Sequence, residues 1–532
     1  MGVSRRRFTQ LTSASAAAAF FTAAPSSHAQ GDRPVLRLAA NASDVLNLDP
    51  HFSTTFQDWI VRDMVFNALI RYVPGDASRF EPDLATEMPS STMNDDGTQS
   101  WTFTLRDDVV VHPTDVTDAY TLSAADVVFS FTKAGDPEKS GWASDYEPWT
   151  IEAVDDVTVT ITLPEPQTET LFFPKISNYL CGHIVPQEPY EALGADAFVM
   201  HPVGTGPFRF ESHTPQNNIM LAAHDDYFRD RPQLAGVEIR FIADATSREL
   251  ALQAGDVDVI AGLQESQWVE KWDEDPSIEV DVFGVGEVLV LNLDTQHDIL
   301  SDPRVREAIF LAISREGHAA LAGEMVSKIV YSVAPYDVVP GGLSQEEAAE
   351  AGVEFPQDID RARELLAEAG YPDGFDLDLV TSEIPVYRQH YEILAEELRQ
   401  IGITVSLEVV QHPAMHELIR EDRNAIVFYS VFRPSSDFYL SHFFTTESGV
   451  VNFANYNVDE LRDEARAESD PDRQIELWKQ AWIEIQGNCA ATGLLYNNNV
   501  YARSSRVDYG HEVRQSMHLY PNITERTSLD NG

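Results

Sequence analysis

The sequence predicts an α/β fold in two lobes or more, and three observations lead there. The chain has 532 residues, and single cores stop growing at about 250–300 residues. Segments of strand periodicity alternate with segments of helical periodicity along the whole chain, the order that gives parallel strands with covering helices. No internal repeat, low-complexity tract or Gly/Ser linker separates the blocks, so strands crossing between the lobes must join them.

The first segment stands apart from that fold. Ser4-Arg5-Arg6-Arg7-Phe8 precedes an uncharged stretch from Leu11 to Ala24, and Ser27-His28-Ala29 then offers small residues on both sides of a variable position. A basic start, a short apolar middle and a small-residue exit form a bacterial export signal, here of the twin-arginine type, cleaved near Ala29. No cysteine adjoins the exit, which argues against a lipid anchor. No later stretch approaches the ~18 uninterrupted apolar residues of a membrane helix. The expected mature protein is exported, soluble and periplasmic.

After the leader, Val35 to Ala39 alternates as a strand and Leu48-Asp49-Pro50 turns the chain. Asp58 to Leu69 has apolar residues at helical spacing. Trp101 to Leu105 and Val157 to Leu163 alternate strictly and read as strands. Gly204-Thr205-Gly206-Pro207 is a turn feeding the strand Phe208 to Phe210, with glycines where the backbone takes positive φ or packs closely. A strand from Val237 to Ile242, a helix from Ser247 to Gln253 and a strand ending at Ile260 complete the first block. The second block starts with the strand Val288 to Asn292. It continues with helices at Arg304–Ser314, Ile359–Ala369 and Arg388–Ile401 and strands at Phe375–Val380 and Val405–Val410. Asp126 is placed to cap the helix beginning near Ser123, and Asp302 caps a helix with Pro303 in its first turn.

Acids exceed bases by 49 over the chain, and by 52 once the three leader arginines are gone. Such a surface repels nucleic acid and anionic membranes, which require clustered cations. The acids are dispersed rather than gathered in a tail, a pattern that suits high salt, where screening relieves self-repulsion. Two cysteines, Cys181 and Cys489, are carried into an oxidising compartment. One disulfide and two buried free thiols are both compatible with their number and their apolar flanks.

Eight short pieces, in order, now identify a resemblance. They are Asn47 to Pro50, Phe80 to Ala85, Trp101 to Asp108, Leu122 to Ser130, Val203 to Phe208, Gly255 to Asp258, Asp302 to Ala308 and Ala369 to Phe375. Together they resemble the solute-binding proteins of ATP-driven (ABC) importers, family 5, the class that includes dipeptide, oligopeptide, nickel and opine binders. The resemblance implies a two-lobe periplasmic-binding-protein fold of type 2 with an extra subdomain in the N-terminal lobe. It places lobe 1 at residues 30–65, 202–285 and 495–532, the inserted subdomain at 66–201 and lobe 2 at 286–494. The lobe crossings then fall near Gly284-Val285-Gly286 and Leu494-Leu495-Tyr496. It also implies a monomeric receptor that hands a small solute, by family a short peptide, to the membrane permease subunits of the importer. A ligand sensor sharing the fold and a secreted hydrolase are the competing classes.

Catalytic patterns are missing from the sequence. There is no Gly-x-Ser-x-Gly elbow, phosphate-binding loop, dinucleotide fingerprint or zinc-protease motif. The best metal-like pattern is His412-x-x-x-His416-Glu417, which lacks a third ligand and has Pro413 at the start of its helix. The reading is therefore a binding protein with no catalytic residue, metal or cofactor.

Three segments follow strand ends, where open α/β sheets place ligands. The first, His51 to Trp59, offers Phe52, Thr54, Thr55 and Trp59. The second, Thr381 to Arg388, offers Thr381 and Ser382. The third, Tyr429 to Tyr439, offers Phe432, Arg433, Ser435 and Asp437. In peptide binders of this family a carboxylate in the third segment meets the ligand's amino terminus, and in dipeptide binders a basic residue in the second meets its carboxylate. Here Thr381 takes the basic position and Phe432 or Ser435 the acidic one. Asp437 comes two residues late, and Arg433 is a new cation. Because an unpaired buried charge is costly, ligand charge should mirror these anchors, and an opine-like acid or an acidic sugar suits Arg433. The roles expected are a ligand carboxylate on Arg433, an amine or hydroxyl on Asp437, hydroxyl or amide groups on Thr381 and Thr54, and an apolar face on Trp59. The rival is amine binding by Asp437 or Glu383 from a shifted position.

Overall fold

The computed structural model describes residues 33–53, 55–179, 181–284, 286–446, 448 and 456–530, so the export segment and Thr54 lie outside the described residues. Two sheets form the centres of two lobes. The first has seven strands, in the order Ile278–Phe283, Asn499–Ser504, Val259–Ala261, Val35–Ala40, Gly236–Phe241, Asn218–Ala223 and Phe208–Thr214. The second has four, in the order Ser327–Ile329, Ala491–Asn497, Val288–Leu293 and Ile426–Val431. The pair Asp376–Ser382 and Thr404–Val410 is tied to this lobe through Asn424, whose amide both accepts from Val380 N (2.7 Å) and donates to Val380 O (2.9 Å).

The expectation of parallel sheets needs correction. Val35–Ala40 runs parallel to Gly236–Phe241 and Val259–Ala261, and Asp376–Ser382 runs parallel to Thr404–Val410. Every other pairing in the two large sheets is antiparallel. Connection length explains the division: three residues join Phe208–Thr214 to Asn218–Ala223, while the parallel pair of the second lobe is bridged by the helix Pro385–Arg399.

An inserted subdomain carries a third sheet, wholly antiparallel, in the order Ser90–Met93, Gln99–Thr104, Thr158–Leu163 and Thr150–Ala153. The helix Ala124–Ala134 belongs to it and starts with a capping box between Ser123 and Asp126. Lys133 on this helix reaches Asp49, Nζ to Oδ2 2.8 Å, with both side chains buried, and so pins the subdomain to the turn after the first strand. Asp302 caps its helix by accepting from Arg304 N (2.9 Å), with Pro303 in the first turn.

The helix read at Asp58 to Leu69 spans Phe56–Val65. It stops early because the Gly204–Gly206 turn packs against its end. Gly206 N donates to Val65 O (2.8 Å), and a Cβ on Gly204 would sit 2.2 Å from that carbonyl oxygen. Contact, not positive φ, demands these glycines.

The chain leaves the first sheet at Phe283 and enters the second at Val288, then returns between Asn497 and Asn499. Leu494 to Tyr496 lie inside the strand Ala491–Asn497, so the return passage is Asn498 rather than those residues. The two passages touch: a Cβ on Gly286 would fall 1.9 Å from Asn497 O.

Cys181 and Cys489 are both buried and free. The disulfide alternative is therefore set aside, because Cys181 packs in the core of the first lobe and Cys489 in that of the second. Burial pushes the Cys489 thiol up to about 12 and the Cys181 thiol further in the same direction. Among the described residues no helix is long and apolar enough to cross a membrane.

Candidate functional site

A cavity of about 670 Å³ opens between the lobes, within the usual size range of small-molecule sites. Each predicted segment reaches it. Phe56 comes from the first, Ile384 to Tyr387 from the second and Ser430 from the third. Of the ten residues singled out from the sequence, the nine described are not among those that line it.

In the first segment, Asp49 sets the turn by accepting from His51 N (3.0 Å) while its own carbonyl accepts from Phe52 N and Ser53 N. Thr55 precedes the helix Phe56–Val65 and donates Oγ1 to Asp58 Oδ2 (2.7 Å). Trp59 is half-buried and fixed by Tyr520, whose hydroxyl donates to Trp59 O (2.8 Å). Phe52 lies with its ring centroid 5.7 Å from Lys133 Nζ, and Arg62 stands 5.7 Å from the Trp59 ring.

In the second segment, Thr381 is wholly buried and its Oγ1 has no hydrogen-bond partner among the described residues. Ser382 Oγ accepts from Ile384 N (3.0 Å) and pairs with His412 Nδ1 (3.1 Å), which sets the start of the helix Pro385–Arg399. Tyr387, on the first turn of that helix, stacks on His412 at 4.6 Å. His412 and His416 meet Nε2 to Nε2 at 3.2 Å, but among the described residues no group of three metal-ligating side chains forms.

The third segment holds the decisive contrast. Asp437 is buried and engaged by Arg466 through two hydrogen bonds, Nε to Oδ1 2.8 Å and Nη2 to Oδ2 3.0 Å. Ser435 Oγ caps the helix Ser436–Tyr439 by accepting from Phe438 N, and Phe432 is buried in the core of the second lobe. Arg433 is different. It is half-buried, donates Nε to His442 Nδ1 (3.1 Å) and Nη1 to its neighbour's Phe432 O (2.8 Å), and lies 5.1 Å from the Phe443 ring. Among the described residues no hydrogen bond is made by its Nη2. His442 can accept because burial, then Arg433, holds its imidazole near 4 and hence neutral.

A run of rings joins the first segment to the third across the lobes. Trp59 meets His518 at 6.1 Å, His518 meets Tyr179 at 6.4 Å, Tyr179 meets Phe438 at 6.4 Å and Phe438 meets His442 at 5.7 Å. The run ends at His442, which accepts from Arg433, whereas Thr381 and Ser382 lie at the end of the strand Asp376–Ser382.

The sequence reading missed Glu287. It lines the cavity immediately after the first passage between lobes, and burial raises its carboxyl to about 7 against the pull of Arg433. The signal available was an acid wedged between Gly286 and the wholly apolar start of the strand Val288–Leu293. The cavity's amides, among them Asn41, Gln264 and Asn497, were not legible either, because four separated pieces of chain contribute them.

With this geometry in hand, comparison with known proteins decides the family. Residues 79–450 match the model of the bacterial extracellular solute-binding proteins, family 5. The chain belongs to that family. Among solved structures, this family 5 protein is 34% identical to MoaA of A. tumefacien R10, determined in complex with mannopinic acid, over 94% of this chain and 100% of that one, with a TM-score of 0.79. It is 26% identical to the heme-binding protein A of Haemophilus influenzae over 79% of each chain. It is also 26% identical to a glutathione-binding protein of Salmonella paratyphi A over 73% of this chain and 76% of the other. Such relatives are binding proteins rather than enzymes, and the family 5 protein is an extracytoplasmic receptor that takes a small solute and works with an ABC permease.

Proposed function

We propose that this receptor captures an opine-like acid and delivers it to its permease. One observation carries the reading: Asp437 is already paired with Arg466, while Arg433 stands half-buried, near enough to the cavity-lining Glu287 to act on its charge, with donors to offer. A guanidinium in a water-poor cleft favours a carboxylate, which it meets with two parallel hydrogen bonds. The likeness to a mannopinic-acid complex supports the same class. A short peptide is the second reading, favoured by the relatives named for glutathione and for oligopeptides.

The lobes are assigned as residues 30–65, 202–285 and 495–532 against 286–494, with 66–201 inserted in the first. Phe52, Thr55 and Trp59 are assigned as the first lobe's share of the ligand contacts in the closed state. The ligand favours the closed state because it touches both lobes only there. The receptor acts as a monomer without nucleic acid. It is exported through a twin-arginine leader cut near Ala29, and its acid excess is fitted to high salt.

A thermal-shift screen at high salt, with mannopinic acid, neutral dipeptides and oligosaccharides, tests the reading. A ligand at a hundred times its dissociation constant stabilises by about 2.7 kcal/mol. Mannopinic acid should shift the transition in the parent and far less in Arg433→Ala. Strong shifts with neutral dipeptides, undiminished in Arg433→Ala, would overturn it.

A further inference from the structure

The third segment has no free carboxylate for a ligand amine, since Asp437 is engaged by Arg466. A carboxylate is nevertheless present at the cavity, supplied by a different part of the chain. Glu287 follows the passage between the two sheets, in the stretch where Gly286 packs against the Asn497 carbonyl. Its side chain is exposed and opens into the cavity. Among the described residues it accepts no hydrogen bond and forms no ion pair, so its carboxylate is available to a ligand that enters the cavity.

The groups around it offer little compensation. Arg433 acts on it from the segment after the strand Ile426–Val431, and Tyr429 lies on that strand. Tyr387 shares the cavity wall with it from the helix Pro385–Arg399, held up at about 12 by burial and then by Glu287 itself, and the buried Tyr439 of the helix Ser436–Tyr439 is raised chiefly by burial, with Glu287 adding to it. Around the same cavity stand Glu265, His318 and His390, the last kept neutral near 3 by burial and by His318. Among the described residues no lysine or arginine lines the cavity. The wall therefore holds two acids with amides, phenols and imidazoles, a composition that suits a cationic group.

We propose that Glu287 is the anionic anchor of this receptor and holds an ammonium group of the ligand. The ligand is then a zwitterion, with its ammonium on Glu287 and a carboxylate on Arg433; the Arg433 half rests on the function proposed above. An amino acid coupled through its nitrogen to a hydroxylated chain has this chemistry, and the cavity's Asn41, Gln264 and Asn497 suit the hydroxyls. Glu287 must be ionised to hold the ammonium. Because burial leaves it partly protonated at neutral pH, binding releases a proton and tightens as pH rises.

Calorimetric titration at pH 6, 7 and 8, in buffers of different ionisation heat, tests this with mannopinic acid, the dipeptide Met-Leu and N-acetyl-Met-Leu as probes. Proton release with about tenfold tightening between pH 6 and 8 is expected for an amine-bearing probe. In Glu287→Gln, which keeps size and shape, the proton release should vanish, the pH profile flatten and affinity at pH 8 fall at least tenfold. If mannopinic acid fails to bind while Met-Leu binds more tightly than its acetylated form, and Glu287→Gln erases that preference, the anchor stands and the opine-like reading falls. Equal binding of the free and acetylated dipeptides, an unchanged pH profile in Glu287→Gln, or no binding of any amine-bearing probe would overturn the anchor.

Discussion

Arg466 and Asp437 form a two-point ion pair in which the carboxylate is nearly buried, with 5% exposure, and the guanidinium partly open, with 42%. A third hydrogen bond, from Arg466 Nη2 to Ser441 Oγ (2.9 Å), fixes the fork in place. The pair reserves Asp437 for the fold and leaves Arg433, four residues earlier, for the ligand.

Substitutions at the two positions should therefore separate stability from binding. Asp437→Ala should lower stability by about 1–3 kcal/mol, the range for a lost hydrogen bond to a charged group, with little change in ligand affinity. Arg433→Ala should cost about 2–5 kcal/mol of binding in a closed, dry cleft, with a small effect on unfolding. Urea denaturation and calorimetric titration of both variants measure the contrast; binding lost equally in both would contradict it.

The Lys133–Asp49 pair is buried on both sides, with 1% and 2% exposure. Lys133→Met alone leaves a buried carboxylate without its cation and should destabilise by about 3–5 kcal/mol. Adding Asp49→Asn should recover part of that loss, and a double-mutant cycle on equilibrium unfolding gives the coupling. Additive losses would mean that the pair does not hold the inserted subdomain.

Buried imidazoles set the acid limit. Burial lowers His112 and His390 to about 3 and His183 to about 4, so all three stay neutral in the folded protein. The unfolded chain takes up these protons below about 6.5, so this contribution is complete above that pH and is lost as pH falls towards 4 and 3. Each buried histidine contributes a slope of up to about 1.4 kcal/mol per pH unit within its window. Unfolding measured at pH 7.5, 5.5 and 4.5 should show the decline, with a shallower slope in His112→Gln. Glu287 works in the opposite direction, its raised carboxyl favouring the folded state below about 7, so Glu287→Gln should help most at pH 8.

The two free thiols sit in separate cores. Native protein should react slowly with a thiol reagent and release two equivalents once unfolded in denaturant. Its melting temperature should be the same with and without reductant. A reductant-dependent drop would show that the cysteines are joined after all.

Much of the fold was legible in the sequence because its cues are local. Strict alternation marked the strand Thr158–Leu163, and Asp302-Pro303 and Ser123-Ala124-Ala125-Asp126 marked helix starts that the structure shows as caps. Strand direction was less legible: pairing depends on which segments meet in space, and the antiparallel contacts joining Val288–Leu293 to Ala491–Asn497 span about two hundred residues of chain. The same limit governed the site. Each of the three segments reaches the cavity, yet nothing local shows that Asp437 is already paired, because Arg466, its partner, lies 29 positions away.

The sequence by itself determined the family, the class of fold, the spread of charge and the segments that approach the cleft, since turns, caps, periodicity and composition act within a few residues of one another. Only the tertiary structure decided which charges are already paired, that the cysteines lie in different cores, and that Glu287 opens into the cavity. Those outcomes depend on burial and on partners distant in the chain, and a charge's availability to a ligand is set by what the folded protein has packed against it.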